Sequence, residues 1–120
     1  MPDAGRLTVS PADEDPVPPQ DAQPDEMVLA EGLQRFAEAV TVPVTRVLHR
    51  WAGLRSFAPD RTPVVGPDPE IPGLVWLAGQ GGYGVQTSPA LSRLVADRVL
   101  GRAPVLPAAV VAALDPGRFA

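Results

Sequence analysis

An arginine between two aromatic residues is the first candidate for chemistry in this sequence. Arg55 lies four residues after Trp51 and two before Phe57, so an extended strand places all three on one face. A guanidinium group stacks on aromatic rings, and its planar fork matches a carboxylate. One interpretation is therefore a clamp for the carboxylate of a substrate. The other, which the residues alone favour, is a surface arginine whose aliphatic stem packs on its neighbours.

The other polar residues are weaker candidates for a catalytic role. His49 could act as a general base, but a lone histidine on a strand is more often structural. Asp60 fits a turn-forming residue better than a catalytic acid. The chain has no cysteine, one histidine and no lysine, and all ten of its basic residues are arginine. This composition excludes thiolate nucleophiles, cysteine-ligated or histidine-rich metal sites and a Schiff base on this chain.

A glycine-rich turn is the second candidate. Leu74–Leu77 is a continuous apolar run, which predicts a strand covered on both faces, and four glycines follow between Gly79 and Gly84. Ser88 before Pro89 predicts the N-cap and first residue of a helix. A helix N-terminus behind exposed N–H groups can receive an anionic or electron-rich ligand. A tight strand–helix corner without a ligand is the alternative that the residues leave open.

Periodicity predicts the elements that position these residues. An apolar stripe at helical spacing predicts a helix over Asp25–Val40, and Gly101 predicts the end of a second helix that begins at Pro89. The remaining predictions are a strand at Arg6–Ser10, a proline-rich acidic loop at Pro11–Pro24, a long strand at Val44–Phe57, a brief strand at Val64–Val65 and a tail at Pro104–Ala120. Together these elements predict an α+β fold.

The charge pattern limits the classes of partner. The net charge is -4, with nine acidic residues and two arginines in residues 1–40, against five acidic residues and eight arginines in residues 41–120. An acidic front half argues against non-specific binding of nucleic acid. Apolar runs are too short to span a bilayer, and the N-terminus lacks the pattern of a signal peptide. We expect a cytoplasmic protein with no nucleic-acid or membrane partner.

Two long motifs resemble one protein family. Trp51–Gly66 resembles the pattern W-x-G-x-R-x-x-x-x-D-x-x-P-[VI]-[VI]-G, and Gly79–Ala90 resembles the C-terminal glycine turn of the same proteins. Both are similar to FAD-dependent oxidoreductases of the D-amino-acid oxidase and glycine oxidase type. The front half and the closing Pro116–Phe119 also resemble this family, so the resemblance covers nearly the whole chain.

The resemblance implies a cofactor, a reaction and site residues. The family uses FAD to oxidise the C–N bond of an amine or amino acid by hydride transfer to the flavin. Arg55 matches a position that binds the substrate carboxylate. The turn that meets the isoalloxazine ring matches Gly82, Tyr83, Gly84, Val85 and Gln86. A helix start near Thr87 would then stabilise negative charge on the reduced flavin.

The resemblance also implies a division of the chain. Residues 1–60 match the end of the substrate-binding domain, and residues 61–120 match the C-terminal return to the FAD-binding domain. The family's N-terminal dinucleotide-binding βαβ unit, with its GxGxxG, has no counterpart near the start of this sequence. We therefore expect FAD and a small amine or amino-acid substrate to bind only together with such a domain or with a partner chain, and no activity in isolation. The alternative is a non-catalytic remnant or a protein-interaction module.

Overall fold

The computed structural model describes residues 2–3 and 6–120, with side chains from residue 6 onward. Helices and short antiparallel strands make up a mixed α+β structure, which confirms the predicted fold class. The chain forms two compact units, residues 1–54 and residues 55–120, called the N-terminal and C-terminal units below.

The N-terminal unit contains two minimal strands and one helix. Strands β1 (Pro2–Asp3) and β2 (Arg6–Leu7) pair antiparallel, so the strand predicted from residue 6 ends earlier than expected. Helix α1 spans Glu26–Ala39 and confirms its prediction. It starts where it does because the carboxylate of Asp25 accepts hydrogen bonds from the first-turn N–H groups, at 2.8 Å and 3.0 Å.

The long strand predicted at Val44–Phe57 is wrong. Residues 43–56 have no regular secondary structure, and among the described residues the stretch has one β-bridge, between Phe57 and Gln80. Trp51 is 70% exposed. Each of the two faces that a strand here would have mixes apolar side chains with polar or charged ones, so neither face is apolar enough to select a partner strand.

The C-terminal unit holds the core. Strands β3 (Val64–Pro67) and β4 (Val75–Ala78) form an antiparallel hairpin, followed by α2 (Gly84–Val99), α3 (Ala108–Leu114) and a 3-10 turn (Pro116–Phe119). The buried apolar residues of the described chain all come from this unit: Val65, Leu91, Leu94, Val111 and Leu114. The core therefore joins the first strand of the hairpin to two helices.

Strand β4 lies one residue later than predicted and is less covered than its sequence indicates. Trp76 and Leu77 are each 40% exposed, whereas Val65 of the neighbouring strand is fully buried. A continuous apolar run predicts cover on both faces. Within the described residues, the helices of this unit do not supply that cover.

The prediction that α2 starts at Pro89, with Ser88 as its N-cap, is wrong by five residues. The helix begins at Gly84, and Pro89 lies inside it. Proline removes the N–H that would bond the carbonyl of Val85, four residues earlier. The hydroxyl of Ser88 donates to that carbonyl oxygen at 3.2 Å, which compensates for the missing bond and lets the helix continue.

The end of α2 matches its prediction, but the segment predicted as a tail does not. Gly101 has φ +65°, and the N–H of Arg102 donates to the carbonyl of Asp97 at 2.7 Å, as expected for a glycine that ends a helix. Beyond it, the apolar stretch folds into α3 rather than a tail. Val111 and Leu114 recur at helical spacing and are buried in the core, which explains why this segment is ordered.

Candidate functional site

The glycine turn packs directly on the segment that carries Arg55. The N–H of Gly81 donates to the carbonyl of Ser56 at 2.9 Å, and Phe57 forms the bridge to Gln80. Gly81 has φ +51°, and a Cβ there would lie 2.7 Å from Cδ1 and 2.9 Å from Cζ of the Phe57 ring. Only glycine fits this position, because both the backbone conformation and the ring exclude a side chain.

Arg55 lies against the same turn. Its guanidinium carbon is 5.3 Å from the centroid of the Phe57 ring, within the range of a cation–π contact. A Cβ at Gly82 would be 3.3 Å from Nη1 of Arg55 and 4.0 Å from its Cδ. The structure thus brings together Arg55 and the first residue of the predicted cofactor turn, and half buries the arginine.

The first turn of α2 presents backbone donors next to Gly82. Tyr83 occupies the N-cap position and, within the described chain, its side chain makes no capping hydrogen bond. Gly84, Val85 and Gln86 form the first helical turn, where N–H groups have no partner inside the helix. Val85 is 92% exposed. The helix start implied near Thr87 is therefore wrong, because the N–H of Thr87 already donates to the carbonyl of Tyr83 at 3.0 Å.

This donor set suits an electron-rich edge of a flavin ring. Gly82 has no side chain to block approach, Arg55 supplies a positive charge beside it, and the helix end supplies N–H donors. A flat ring needs such close approach to backbone, which a side chain at residue 82 would obstruct. The residues present therefore fit the part of FAD that carries the ring carbonyls.

The turn also has the spacing G-x-G-x-x-G, at Gly79, Gly81 and Gly84, which was visible in the sequence. It follows β4 and opens α2, as in a dinucleotide-binding unit. In that unit, however, the strand belongs to a parallel sheet, whereas β4 pairs antiparallel with β3. The described residues therefore do not form the pyrophosphate-binding βαβ unit, despite the matching spacing.

Asp60 forms the predicted turn and has a partner that sequence reasoning missed. Its Oδ1 accepts from the N–H of Thr62 at 3.1 Å, as an Asx turn requires. Its two carboxylate oxygens also accept from Arg118 Nε at 2.8 Å and Nη2 at 3.2 Å. The hydrogen bond from Arg118 lowers the pKa of Asp60 below its ordinary value of 3.8. No sequence signal links residues 58 positions apart.

An open apolar groove of about 480 Å³ lies beside this region of the C-terminal unit. Phe57, Trp76 and Phe119 contribute its aromatic side chains. The indole Nε1 of Trp76 donates to Oδ2 of Asp68 at 2.8 Å, and this bond lowers the pKa of Asp68 below 3.8. The groove therefore has a mainly apolar lining with two carboxylates, Asp68 and Glu70, of which Asp68 is held in place by Trp76.

The remaining candidate, His49, is exposed and lies in the N-terminal unit. Among the described residues, no group of three or more histidine, aspartate or glutamate side chains is arranged to hold a metal ion. In the same part of the chain, every helix is too short or too polar to cross a bilayer.

The sequence comparisons define the class of protein. The family of FAD dependent oxidoreductases that includes D-amino-acid oxidase matches residues 1–98. This chain belongs to that family.

This chain is similar to a part of several longer proteins. A tRNA 5-methylaminomethyl-2-thiouridine biosynthesis bifunctional protein MnmC of Caulobacter sp. is 37% identical over 92 residues, which is 76% of this chain. Glycine oxidase of Pseudomonas aeruginosa is 41% identical over 56 residues (47% of this chain), and D-amino acid dehydrogenase of Rhizobium johnstonii is 41% identical over 58 residues (48%). The aligned region is 15%, 15% and 14% of the length of these three relatives.

Proposed function

We propose that this chain is the C-terminal, flavin-facing part of an FAD-dependent oxidoreductase that oxidises the C–N bond of an amine or amino acid. The observation that carries the proposal is the contact of Arg55 with Gly82 beside the uncapped start of α2. Membership of the family and the names of its relatives support it, since those names refer to amines or amino acids.

Arg55 binds the substrate carboxylate in this proposal. The contact with the Phe57 ring restrains the guanidinium group, and a restrained fork loses less conformational entropy when it takes up two carboxylate oxygens. Binding the carboxylate at Arg55 would hold the rest of the substrate near Gly82, whose backbone lies beside the guanidinium group.

Gly82, Tyr83, Gly84, Val85 and Gln86 meet the flavin ring. Bound FAD would supply the chemistry by accepting a hydride from the carbon next to the amine nitrogen. The N–H groups of the first α2 turn would donate to the carbonyl edge of the ring, and the positive end of the helix favours electron density there.

A dinucleotide-binding domain must complete this site. The described residues form no parallel βαβ unit, which holds the FAD pyrophosphate in such folds. We therefore propose that FAD and substrate bind when residues 1–60 complete a substrate-binding domain and residues 61–120 complete an FAD-binding domain. The partner part comes from elsewhere in the same protein or from another chain.

FAD fluorescence tests this proposal. FAD is titrated with the purified chain, alone and with the product of the neighbouring gene, and bound flavin is followed by its absorbance and its fluorescence. We expect a shifted flavin spectrum only in the presence of a partner that carries a dinucleotide-binding domain. With that complex, Arg55→Met should raise the KM for amino acids far more than that for amines without a carboxylate, and Arg55→Lys should recover part of the loss.

The same titration identifies the alternative. An interaction module is favoured by the exposed apolar groove with Trp76 at its side. A partner that binds the chain while FAD stays free in both titrations would support the module, and the roles given to Arg55 and Gly82–Gln86 would then be wrong.

A further inference from the structure

The side chain of Arg118 is held by several hydrogen bonds to other residues of the C-terminal unit. Its side chain is 15% exposed and donates to both carboxylate oxygens of Asp60, to the carbonyl of Thr62 at 2.8 Å and to the carbonyl of Asp115 at 3.0 Å. Its guanidinium carbon also lies 4.2 Å from the centroid of the Phe119 ring. Every one of its three nitrogens is therefore used, and the two-bond contact with Asp60 fixes its orientation.

The turn that Arg118 contacts is not a relaxed one. Arg61 has φ +61°, a left-handed conformation that a non-glycine residue adopts only when its surroundings enforce it. The turn is closed by the N–H of Arg61, which donates to the carbonyl of Ala58 at 2.9 Å, and by the bond from Thr62 to Asp60. The contacts from Arg118 to Asp60 and Thr62 supply the extra restraint on both sides of the left-handed residue.

The same turn directly follows the segment that carries the candidate site. Phe57 comes one residue before Ala58 and packs under Gly81, and the carbonyl of Ser56 accepts from the N–H of Gly81. A rotation of the turn would therefore move Ser56 and Phe57 relative to the glycine turn. Arg55, whose guanidinium group contacts both Phe57 and Gly82, would move with them.

We infer that Arg118, through Asp60, is a positioning residue for Arg55 and for the contact between residues 55–57 and the glycine turn. It acts from the 3-10 turn at the end of the described chain and does not itself touch the turn at Gly82–Gln86. The role of Arg55 toward a substrate rests on the proposed function; the positioning itself does not.

Amide hydrogen exchange of the full chain, measured by NMR, tests the inference without flavin. The reporter is the N–H of Gly81, which bonds the carbonyl of Ser56, and the N–H of the core residue Leu94 reports global opening. In Arg118→Gln we expect exchange at Gly81 to accelerate about tenfold more than at Leu94, the size typical for losing hydrogen bonds to a charged group. Arg118→Lys, which keeps the charge and one donor nitrogen in place of three, should recover part of the protection.

Two further variants keep the test decisive. Asp60→Asn retains an oxygen that can accept from Thr62 but loses the charged two-bond contact with Arg118, so it should accelerate Gly81 even if Arg118→Gln fails to fold. Arg102→Gln is the matched control, since it removes an exposed arginine of the same unit, and should leave both rates unchanged. Equal acceleration at Gly81 and Leu94, no change at Gly81, or a Gly81 amide that is unprotected in the wild type would each overturn the inference.

The result of the hydrogen-exchange test can be interpreted whether or not FAD binds in the flavin titration. If FAD never binds but Gly81 is selectively deprotected, the proposed function is wrong and the positioning by Arg118 stands. If FAD binds with a partner while the Gly81 rate is insensitive to Arg118, the positioning is wrong and the proposed function stands.

Discussion

Replacing Gly81 by alanine should be one of the most damaging single-methyl changes in the C-terminal unit. Two effects add. An alanine at φ +51° costs about 1–2 kcal/mol relative to glycine, because its Cβ crowds the following carbonyl. The same Cβ would overlap the Phe57 ring, with Cζ at 2.9 Å, and such overpacking costs about 1–3 kcal/mol. We expect the free energy of unfolding to fall by about 2–5 kcal/mol.

Urea unfolding followed by tryptophan fluorescence measures this loss. A Trp51→Phe background leaves Trp76 as the reporter of the C-terminal unit. Gly101→Ala is the control: Gly101 has φ +65°, and no described atom outside its chain neighbours lies within 4 Å of a Cβ placed there. It should therefore show the backbone cost alone, about 1–2 kcal/mol.

A double-mutant cycle separates the two effects. In a Phe57→Ala background the ring is gone, so Gly81→Ala should cost no more than Gly101→Ala. The reasoning is refuted if Gly81→Ala and Gly101→Ala destabilise equally in the original background, or if removing the ring does not reduce the cost at Gly81. Either result would mean that Phe57 does not pack on the glycine turn.

Two further predictions concern the core and the groove. Leu94→Ala, at a position that is 1% exposed, should lower the free energy of unfolding by about 2–5 kcal/mol, whereas Leu100→Ala, at 59% exposure, should change it little; urea unfolding of both variants compares them. Since the pKa of Asp68 is below 3.8 in the folded chain, its contribution is present above the unfolded pKa and is lost as the pH falls through the folded pKa. Stability should therefore decline below pH 3.8, and the decline should be smaller in Asp68→Asn; an undiminished decline would show that the bond to Trp76 does not matter.

Local signals in the sequence were sufficient where a single residue determines the structure. Asp25, where the apolar stripe predicted α1 to begin, caps that helix with its side chain, and Gly101 marks the end of α2 because it adopts a left-handed conformation. Each depends on contacts within four residues, so each can be predicted without knowledge of the fold. The α+β class follows from such elements.

The wrongly predicted start of α2 shows that a sequence pattern typical of a helix start can also occur inside a helix. Ser88 and Pro89 are typical of a helix start, but here the serine hydroxyl replaces the hydrogen bond that the proline removes. The true start at Gly84 has no side-chain cap within the described chain, so no capping residue could mark it in the sequence. A helix whose first turn has no side-chain cap gives no local capping signal of where it begins.

The features that the sequence did not predict depend on contacts between residues far apart in the chain. Residue spacing predicted that Trp51, Arg55 and Phe57 share one face of a strand; residues 43–56 form no strand, but Arg55 and Phe57 are in cation–π contact. Nothing in the sequence alone links Arg118 to Asp60 or places the Arg55 guanidinium group on Gly82, because these contacts depend on how the hairpin and helices pack. The strand predicted at Val44–Phe57 failed for the same reason, since a strand exists only with a partner.

The serine–proline pair in α2 limits the order in which its two positions can be substituted in evolution. Pro89 leaves the carbonyl of Val85 without its helical donor, and the hydroxyl of Ser88 takes that place. If alanine replaces the proline, the backbone N–H returns and the serine hydroxyl becomes redundant, so the order in which the two positions mutate matters. Loss of the serine first passes through a weakened helix, whereas loss of the proline first does not. We therefore expect the two positions to be epistatic, with related sequences replacing the proline before the serine.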